Sequence, residues 1–339
     1  MSSDRTPNRG GSNVDYRQLG RSDLKISTVG LGCWAIGGWW WGGTDVNDSI
    51  AAIQKAVDIG VNFIDTAPAY GWGLSEEIVG RALEGRRDQA VVATKCGLVW
   101  DREAGRFHFE SEGRRVFRYS AKASILAEAE ASLKRLRTDR IDLYQVHWPD
   151  PTTPFEETME ALVALLDQGK IRAIGVSNFT VEMHIACLKH GPLHSSQPRF
   201  NLLDRKIEKD VLPFCRKRKI GVVAYSPLEQ GILTGKVTPD RQLAPGDYRA
   251  DRPWFREKNR RRALAFLDRV RPIADGHGKT LAQLAIAWLL QQGGVTSAIV
   301  GARRPDQVEQ NAGGAGWKLT DEELKRIDAE LAALGEAEK

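Results

Sequence analysis

The sequence lacks any apolar run that approaches the ~18 residues needed to span a bilayer, which argues against a membrane helix. Residues 1–13 are polar and rich in Gly, Ser and Arg, without the apolar core of a signal peptide, and are predicted to be a disordered tail. Cysteine is scarce: Cys33, Cys96, Cys187 and Cys215 form neither a CxxC pair nor a metal-binding spacing. This pattern suits a reducing compartment, and we expect a cytoplasmic protein.

A concentrated basic surface is also missing, although the formal net charge is +5. The arginines are spread along the chain instead of being gathered on one recognition element, so we expect no nucleic-acid partner. The densest basic runs are residues 216–219 and 260–262. Solvated helix faces are the simpler interpretation of these runs, and steering of an anionic ligand is the alternative. The sequence carries no signal for the oligomeric state.

What the sequence does contain is a series of short apolar segments separated by helical patterns. Because these segments are continuously apolar, both faces of each strand are expected to be buried, as in a parallel sheet. No G-x-G-x-x-G follows the first strand, which disfavours a doubly wound dinucleotide-binding fold. We therefore predict an α/β protein, a single (β/α)8 TIM barrel over residues 14–339 with an N-terminal β-hairpin and extra helices. The predicted strands are residues 28–32, 61–64, 90–95, 141–147, 171–176, 195–197, 221–225 and 298–300.

Several local features are predicted between the strands. Residues 97–119 form a long polar stretch that we interpret as a loop. Ser120 is expected to cap a helix that reaches about Leu136. Residues 153–156 show a capping-box pattern with proline at the first helical position, and Thr320 with Glu323 shows a second capping box.

Polar side chains collect at the ends of three consecutive predicted strands. Asp65 and Tyr70 follow the second strand, Lys95 ends the third, and His147 ends the fourth. An isolated Asp65 and Tyr70 would more simply be a turn cap and a loop aromatic, but a parallel barrel brings all these strand ends to one face.

These four residue types suit the chemistry of a carbonyl group. Tyrosine titrates near 10, and we expect a nearby Lys95 to lower the pKa of Tyr70 while Asp65 keeps the lysine charged. His147 would orient a substrate oxygen, so that the set stabilises developing oxyanion charge while delivering a proton. The four residues include no hydride source and no metal-ligand cluster, so an external cofactor must supply the reducing equivalent.

The strand-end residues belong to longer motifs that occur in a fixed order along the chain. These motifs are residues 60–71 (GVNFIDTAPAYG), Lys95, residues 141–149 (IDLYQVHWP), residues 169–179 (GKIRAIGVSNF) and residues 225–228 (YSPL). Together they resemble the aldo-keto reductases, NAD(P)H-dependent (β/α)8 barrels, over roughly residues 16–334. Within that family the chain is most similar to bacterial members related to general stress protein 69 and to the inositol-operon reductases.

The resemblance implies an NADP(H)-dependent oxidoreductase that reduces small aldehydes, ketones or open-chain sugars to alcohols by hydride transfer. Asp65, Tyr70, Lys95 and His147 match the catalytic tetrad of the family, with Tyr70 as the general acid. It also implies a set of cofactor-binding residues: Trp34, Ser177, Asn178, Gln197, Tyr225, Ser226, Pro227, Leu228, Gly231, Leu233, Gly235, Lys236, Gly301, Arg303, Gln307, Gln310 and Asn311.

By the same resemblance, Ser177, Asn178 and Gln197 would hydrogen-bond the nicotinamide carboxamide and Tyr225 would stack on the ring. The segment from Leu228 to Lys236 would close over the pyrophosphate.

The adenosine-phosphate motif, residues 301–311, departs from that of many relatives. Gly301 and Ala302 replace lysine and serine, and glutamines at 307 and 310 replace arginine and glutamate. Arg303 is therefore the expected ligand of the 2′-phosphate, with Arg304 as a second candidate and a simple surface charge as the alternative.

Two other functions are considered for the same barrel. A non-catalytic nucleotide-sensing or binding protein is the main alternative, and the intact set of four argues for catalysis instead. A metal-dependent hydrolase would need more strand-end ligands than Asp65 and His147, so no metal site is expected. Cys33 and Cys96 are expected to be buried and inert, with a reactive role as the alternative.

The positions of the remaining tryptophans and histidines can also be predicted. A tryptophan-rich rim of the active site would bind apolar or sugar faces, or would simply pack on the barrel. Its members are Trp34, Trp39, Trp40, Trp41 and Trp100. The other histidines are expected at the surface or in the core, and they are His108, His184, His190, His194 and His277.

Overall fold

The computed structural model describes residues 14–38, 41, 43–243 and 247–338. The predicted tail, residues 1–13, and two of the predicted rim tryptophans, Trp39 and Trp40, lie outside the described residues. None of the helices in the described part of the chain is long and apolar enough to cross a membrane.

Strands and helices alternate along most of the chain. The strands are β1 Tyr16–Gln18, β2 Lys25–Ser27, β3 Val29–Gly32, β4 Phe63–Asp65, β5 Val91–Cys96, β6 Leu98–Val99, β7 Arg106–Ser111, β8 Arg114–Arg118, β9 Ile141–Val146, β10 Ile171–Ser177, β11 Ser195–Gln197, β12 Gly221–Tyr225 and β13 Val295–Gly301. The α-helices are α1 Val46–Asp58, α2 Leu74–Ala82, α3 Lys122–Leu136, α4 Phe155–Asp167, α5 Val181–Leu188, α6 Val211–Arg218, α7 Glu257–Gly276, α8 Leu281–Gln291, α9 Pro305–Ala312 and α10 Asp321–Leu334.

Eight of these strands close into a parallel barrel, which confirms the predicted fold class. Their order around the barrel is β3, β4, β5, β9, β10, β11, β12 and β13, and β13 pairs back onto β3. The predicted N-terminal hairpin is also present, as the antiparallel pair of β1 and β2. Because all eight barrel strands run the same way, their carboxyl ends meet at one face.

The hairpin closes the opposite face of the barrel. Its apolar side chains Leu19, Leu24 and Ile26 form one buried cluster with inward-facing strand residues such as Phe63 and Leu143. A second and larger cluster fills the space between the strands and the helices. With the amino-terminal end plugged, the open space inside the barrel lies at the carboxyl ends of the strands.

The prediction of a loop over residues 97–119 is wrong, because this segment contains β6, β7 and β8 in a three-stranded antiparallel sheet. The turn between β7 and β8 has Glu112 and Gly113 at positive φ, 51° and 71°, as a two-residue hairpin turn requires. The signal was present in the glycine and in the apolar residues Phe109, Val116 and Phe117. It was masked by the charged residues on the exposed face of the hairpin.

Two predicted helix caps are also wrong. Helix α3 has Ala121 rather than Ser120 at its N-cap, without a side-chain cap hydrogen bond. The hydroxyl of Thr153 donates to Asp150 Oδ2 at 2.6 Å instead of capping a helix, and Pro154 is the N-cap of α4. The second capping box, at Thr320 and Glu323, is confirmed. At Thr153 the local pattern failed because a nearby carboxylate competed for the same hydroxyl.

Candidate active site

A cavity of about 950 Å³ lies at the carboxyl ends of the barrel strands. Asp65, Ser177, Gln197, Tyr225 and Gly301 line it, and each is the last residue of a barrel strand. The cavity joins the predicted catalytic residues at one end to the predicted cofactor residues along its length.

Lys95 is wholly buried on β5 and reaches the cavity only through its partners. Its Nζ donates to Asp65 Oδ1 at 2.7 Å, to the carbonyl oxygen of Thr66 at 2.8 Å and to the phenolic oxygen of Tyr70 at 3.3 Å. An ammonium group has three donors, and all three have acceptors here. The lysine is therefore held in one position against the tyrosine.

Asp65 is the acceptor that makes burial of this lysine possible. Besides the bond from Lys95, its Oδ2 accepts from Gln197 Nε2 at 2.8 Å and from Gln145 Nε2 at 3.3 Å. Removing either partner of such an ion pair leaves an uncompensated buried charge, whereas full hydrogen bonding offsets the desolvation. Gln145 is fully buried on β9 and, although it lies within the motif of residues 141–149, it was not assigned a role by the sequence analysis.

The backbone around Tyr70 is held by close contact between two loops. A Cβ added to Gly37 would lie 2.6 Å from the carbonyl carbon of Tyr70, and one added to Gly71 would lie 2.3 Å from the carbonyl oxygen of Gly37. Gly71 also has a positive φ of 64°, which favours glycine. The tyrosine ring then stands edge-on to His147, with 5.8 Å between the ring centroids.

The protonation states of this cluster follow from burial and charge. Burial raises the pKa of Tyr70 above its ordinary value, opposed by Lys95 and assisted by Asp65. Lys95 lowers the pKa of Tyr70, as expected, but burial outweighs this effect and the net shift is upward. Burial alone would lower the pKa of Lys95, yet Asp65 and Tyr70 raise it overall. Burial and the positive charge of Lys95 hold the pKa of His147 well below its usual value.

At neutral pH the site therefore presents a protonated phenol, an ammonium group and a neutral imidazole. Such a set of groups can deliver a proton to a carbonyl oxygen and can stabilise the phenolate that is left.

The predicted nicotinamide contacts form a connected network beside the catalytic cluster. Asn178 Nδ2 donates to the carbonyl oxygen of His147 and to Ser177 Oγ, both at 3.1 Å, and its Oδ1 accepts from the hydroxyl of Tyr225 at 2.9 Å. Ser177 Oγ donates to the carbonyl oxygen of Gln197 at 2.8 Å. These polar groups and the tyrosine ring face the cavity next to Asp65, an arrangement that fits a flat amide-bearing ring.

The segment after β12 is built around a buried carboxylate. Glu229 is 3% exposed, forms an ion pair with Arg199 and accepts from Asn201 Nδ2 at 2.7 Å. Next to it, Gln230 and Gly231 have positive φ values of 55° and 107°. The Oε1 atom of Gln230 is buried and has no hydrogen-bond partner among the described residues, and the residue lines the cavity.

Not every predicted cofactor residue reaches the cavity wall. Leu233 is fully buried in the core, and a Cβ on Gly235 would meet Leu281. Neither these two residues nor Lys95 line the described part of the cavity, whereas the other predicted catalytic and cofactor residues do.

At the far end of the cavity Arg303 holds a turn and a loop together. Its backbone N–H donates to Gln307 Oε1 at 2.9 Å, and its Nη1 donates to the carbonyl oxygens of Trp41 and Gly43, each at 3.2 Å. Within the described residues no carboxylate pairs with Arg303. Arg304, in contrast, pairs with Asp306 at 3.1 Å.

The cavity lining is strongly basic. Its described acidic residues are Asp65 and Asp306, against seven lysines and arginines. Such an excess favours an anionic ligand, and the pyrophosphate and adenosine phosphates of a dinucleotide fit it. The basic lining residues are Arg199, Lys236, Arg241, Arg249, Arg252, Arg303 and Arg304.

Aromatic side chains surround the catalytic end. Trp34 and Trp41 line the cavity as predicted, but Trp100 lies edge-on to Trp72, 5.4 Å between centroids, outside the lining. Trp148 and His108 also line the cavity and were missed by the sequence analysis, which expected His108 at the surface or in the core. His108 lies on β7, which the sequence analysis had interpreted as a loop, so its position at the cavity could have been predicted only by predicting that strand.

The four cysteines are buried and free, as expected for Cys33 and Cys96, and burial raises the pKa of both thiols. Over the described residues, no group of three or more His, Cys, Asp or Glu side chains is arranged to hold a metal ion.

The sequence is similar to known proteins over nearly its whole length. A sequence model of the aldo/keto reductase family matches residues 28–332. An aldo-keto reductase of Bacillus subtilis, YhdN, is 43% identical over 321 residues, which are 94% of this chain and 94% of the relative. The NADH-specific methylglyoxal reductase of Escherichia coli is 41% identical over 309 residues, 89% of this chain and 94% of the relative.

Solved structures of related proteins are also similar to this chain over nearly its whole length. The glycerol dehydrogenase AKR11B4 from Gluconobacter oxydans superposes with a TM-score of 0.86 at 44% identity, covering 95% of this chain and 96% of that one. The aldo-keto reductase AKR11C1 from Bacillus halodurans, in its holo form, gives a TM-score of 0.74 at 31% identity, covering 94% and 96%.

Proposed function

Because this chain belongs to the aldo/keto reductase family and is a carbonyl-reducing oxidoreductase, we propose that it reduces small oxygenated aldehydes and ketones with NADPH. The observation that carries this proposal is the contact of Lys95 with both Asp65 and Tyr70 at the wall of a cavity that His147 also lines.

In the proposed reaction Tyr70 is the general acid. Its hydroxyl donates a proton to the carbonyl oxygen of the substrate as charge develops there. Lys95, at 3.3 Å, stabilises the phenolate that is left, and Asp65 holds the lysine in place. His147, kept neutral by burial, donates a hydrogen bond to the same oxygen and orients it. A bound nicotinamide cofactor supplies the hydride.

We propose that the cofactor lies along the basic cavity. Ser177, Asn178 and Gln197 would hold its carboxamide, Tyr225 would contact its ring, and Leu228 to Lys236 would cover its pyrophosphate. This assignment is supported by the way these polar groups connect to Asp65 through Gln197, 2.8 Å from the carboxylate.

The choice of NADPH over NADH rests on Arg303. Its guanidinium makes its two described side-chain hydrogen bonds through Nη1, so that Nε and Nη2 are available to a 2′-phosphate. The specificity of the Escherichia coli relative for NADH is the argument for the opposite preference. Direct comparison of the two cofactors decides between them.

The proposed substrate class follows from the lining of the cavity and from the substrates in the names of two relatives. Methylglyoxal carries a second oxygen beside the reacting carbon, and so does the product of glycerol oxidation. An aromatic wall with a few polar groups suits such a compact substrate. Open-chain sugars are larger members of the same class.

We also propose that residues 14–339 act as one catalytic domain. Four free, buried cysteines suit a reducing compartment, in keeping with a cytoplasmic location.

The test is a steady-state comparison of methylglyoxal, 2-hydroxypropanal and propanal, each with NADPH and with NADH. We expect oxidation of NADPH with a higher kcat/KM than that of NADH. Binding of a cofactor without oxidation, for every carbonyl tried, would instead support the non-catalytic nucleotide-binding alternative. A preference for NADH would refute only the NADPH part of the proposal.

A further inference from the structure

His108 lies at an irregularity in the hairpin formed by β7 and β8. Phe107 pairs with Phe117 and Phe109 pairs with Val116, so His108 is an extra residue between two successive pairs. This is the arrangement of a β-bulge, in which one strand has two residues opposite one. Bulges re-aim side chains and are frequent next to active sites.

The bulge changes which side chains face the cavity. In an unbroken strand neighbouring side chains point to opposite faces, so His108 would face away from Phe109. Instead both His108 and Phe109 line the cavity, whereas Phe107 is 44% exposed and lies against Phe117. The hairpin thus adds a polar ring beside the aromatic side chains of Phe109 and Trp148.

The environment of His108 keeps its ring neutral and available. The ring lies 5.1 Å from that of Trp148, centroid to centroid, one residue along the chain from His147. Burial and the nearby Arg118 lower the pKa of His108 to about 4. A neutral imidazole has one N–H donor and one acceptor nitrogen, and neither is engaged by another described residue.

We propose that His108 is a specificity-determining residue that hydrogen-bonds the second oxygen of the substrate, on the carbon beside the carbonyl. This inference rests on the proposed function, in which Tyr70 and His147 hold the carbonyl oxygen. Tyr70, His147, His108 and Trp148 all line the same cavity, and Trp148 directly follows His147 in the chain, so we place the far end of a compact substrate beside His108. An unreactive polar contact of this kind selects oxygenated substrates over their plain analogues.

The experiment compares 2-hydroxypropanal with propanal, which differ by one hydroxyl group beside the carbonyl. In wild-type protein the hydroxylated aldehyde should have the higher kcat/KM. His108→Leu should reduce that preference by about 3- to 10-fold, the value of one neutral hydrogen bond, and should leave propanal nearly unchanged. His108→Gln, which keeps a donor and an acceptor, should restore most of the preference.

Phe107→Leu is the matched control, because it changes the neighbouring residue of the same strand on its exposed side. It should leave the ratio of the two substrates unaltered. An unchanged ratio in His108→Leu, or equal losses for both aldehydes that His108→Gln does not repair, would overturn the inference while the reductase assignment stands. Wild-type protein that reduces neither aldehyde would overturn the proposed function, and this inference with it.

Discussion

The two ends of the cavity use charge in opposite ways. At the catalytic end Lys95 and Asp65 are 0% and 3% exposed, and their bonds connect side chains from several strands. At the end proposed to hold the adenosine phosphates, here called the adenosine end, Arg303 is only partly buried and bonds to backbone carbonyl oxygens. Arg304 is exposed there and pairs with its neighbour Asp306.

This difference in burial predicts that one end of the cavity controls turnover and the other controls the affinity for the cofactor. A buried charge that loses its partner is left in a low-dielectric interior, so changes at the catalytic end should alter turnover and stability together. A partly exposed arginine is screened by water, so changes at the adenosine end should alter cofactor binding alone. The predictions below test this contrast, beginning with the largest expected effect.

Tyr70→Phe removes the proton donor and keeps the ring. General acid catalysis contributes about 10²–10⁴-fold, so turnover should fall by that order. Cofactor affinity, followed by quenching of protein fluorescence, should change little, because the hydrogen bond described for the hydroxyl is to Lys95 and not to a proposed cofactor residue. Turnover within threefold of wild type would show that Tyr70 is not the general acid.

Lys95→Met should lower turnover and also destabilise the fold. Asp65 would be left buried without its cation, and loss of one partner of a buried pair costs about 3–5 kcal/mol. Thermal unfolding measures the second effect. The double variant Lys95→Met/Asp65→Asn should regain much of the melting temperature, because no charge is left unpaired, without regaining turnover. Recovery of both would mean that the lysine serves only the fold.

Arg303→Ala should weaken NADPH binding by roughly tenfold to a hundredfold, the equivalent of about 1.5–3 kcal/mol for a charge-assisted contact. NADH lacks the 2′-phosphate and should be nearly unaffected, and kcat at saturating cofactor should be retained. Arg304→Ala is the matched control, because that arginine already pairs with Asp306. Equal losses for both cofactors would show that Arg303 supports the loop at Trp41 instead.

The smallest effect is expected in the pH profile of carbonyl reduction. Because the pKa of Tyr70 is raised, the acid form is present at neutral pH and is lost only as pH rises through a value above about 10. Because the pKa of His147 is lowered well below its usual value, no loss should occur near its ordinary value of about 6.5.

Reduction should therefore be flat between about pH 6 and 9, whereas alcohol oxidation, which needs the phenolate, should rise with pH. A bell-shaped reduction profile centred near neutrality would contradict these protonation states. Saturating cofactor at each pH keeps binding at the adenosine end out of the measurement.

Most of the architecture was predictable because it rests on local patterns. Continuous apolar segments predicted seven of the eight barrel strands, whereas β11, with the sequence Ser-Ser-Gln, has no apolar residue and was predicted from its place between helices. The strand-end residues predicted which side chains meet at one face. The errors came from competition that no local pattern shows. Asp150 takes the hydroxyl of Thr153, and the charged outer face of the β7–β8 hairpin hides its alternation.

The sequence by itself determined the barrel, its family and the identity of the four strand-end residues, because each depends on residues close together along the chain. Tertiary structure alone decided the raised pKa of Tyr70, the amides that support Asp65 and the bulge that turns His108 toward the cavity. Each of these depends on distances and burial between segments far apart in sequence. Electrostatic interactions and desolvation vary with those distances, and spacing along the chain does not encode them.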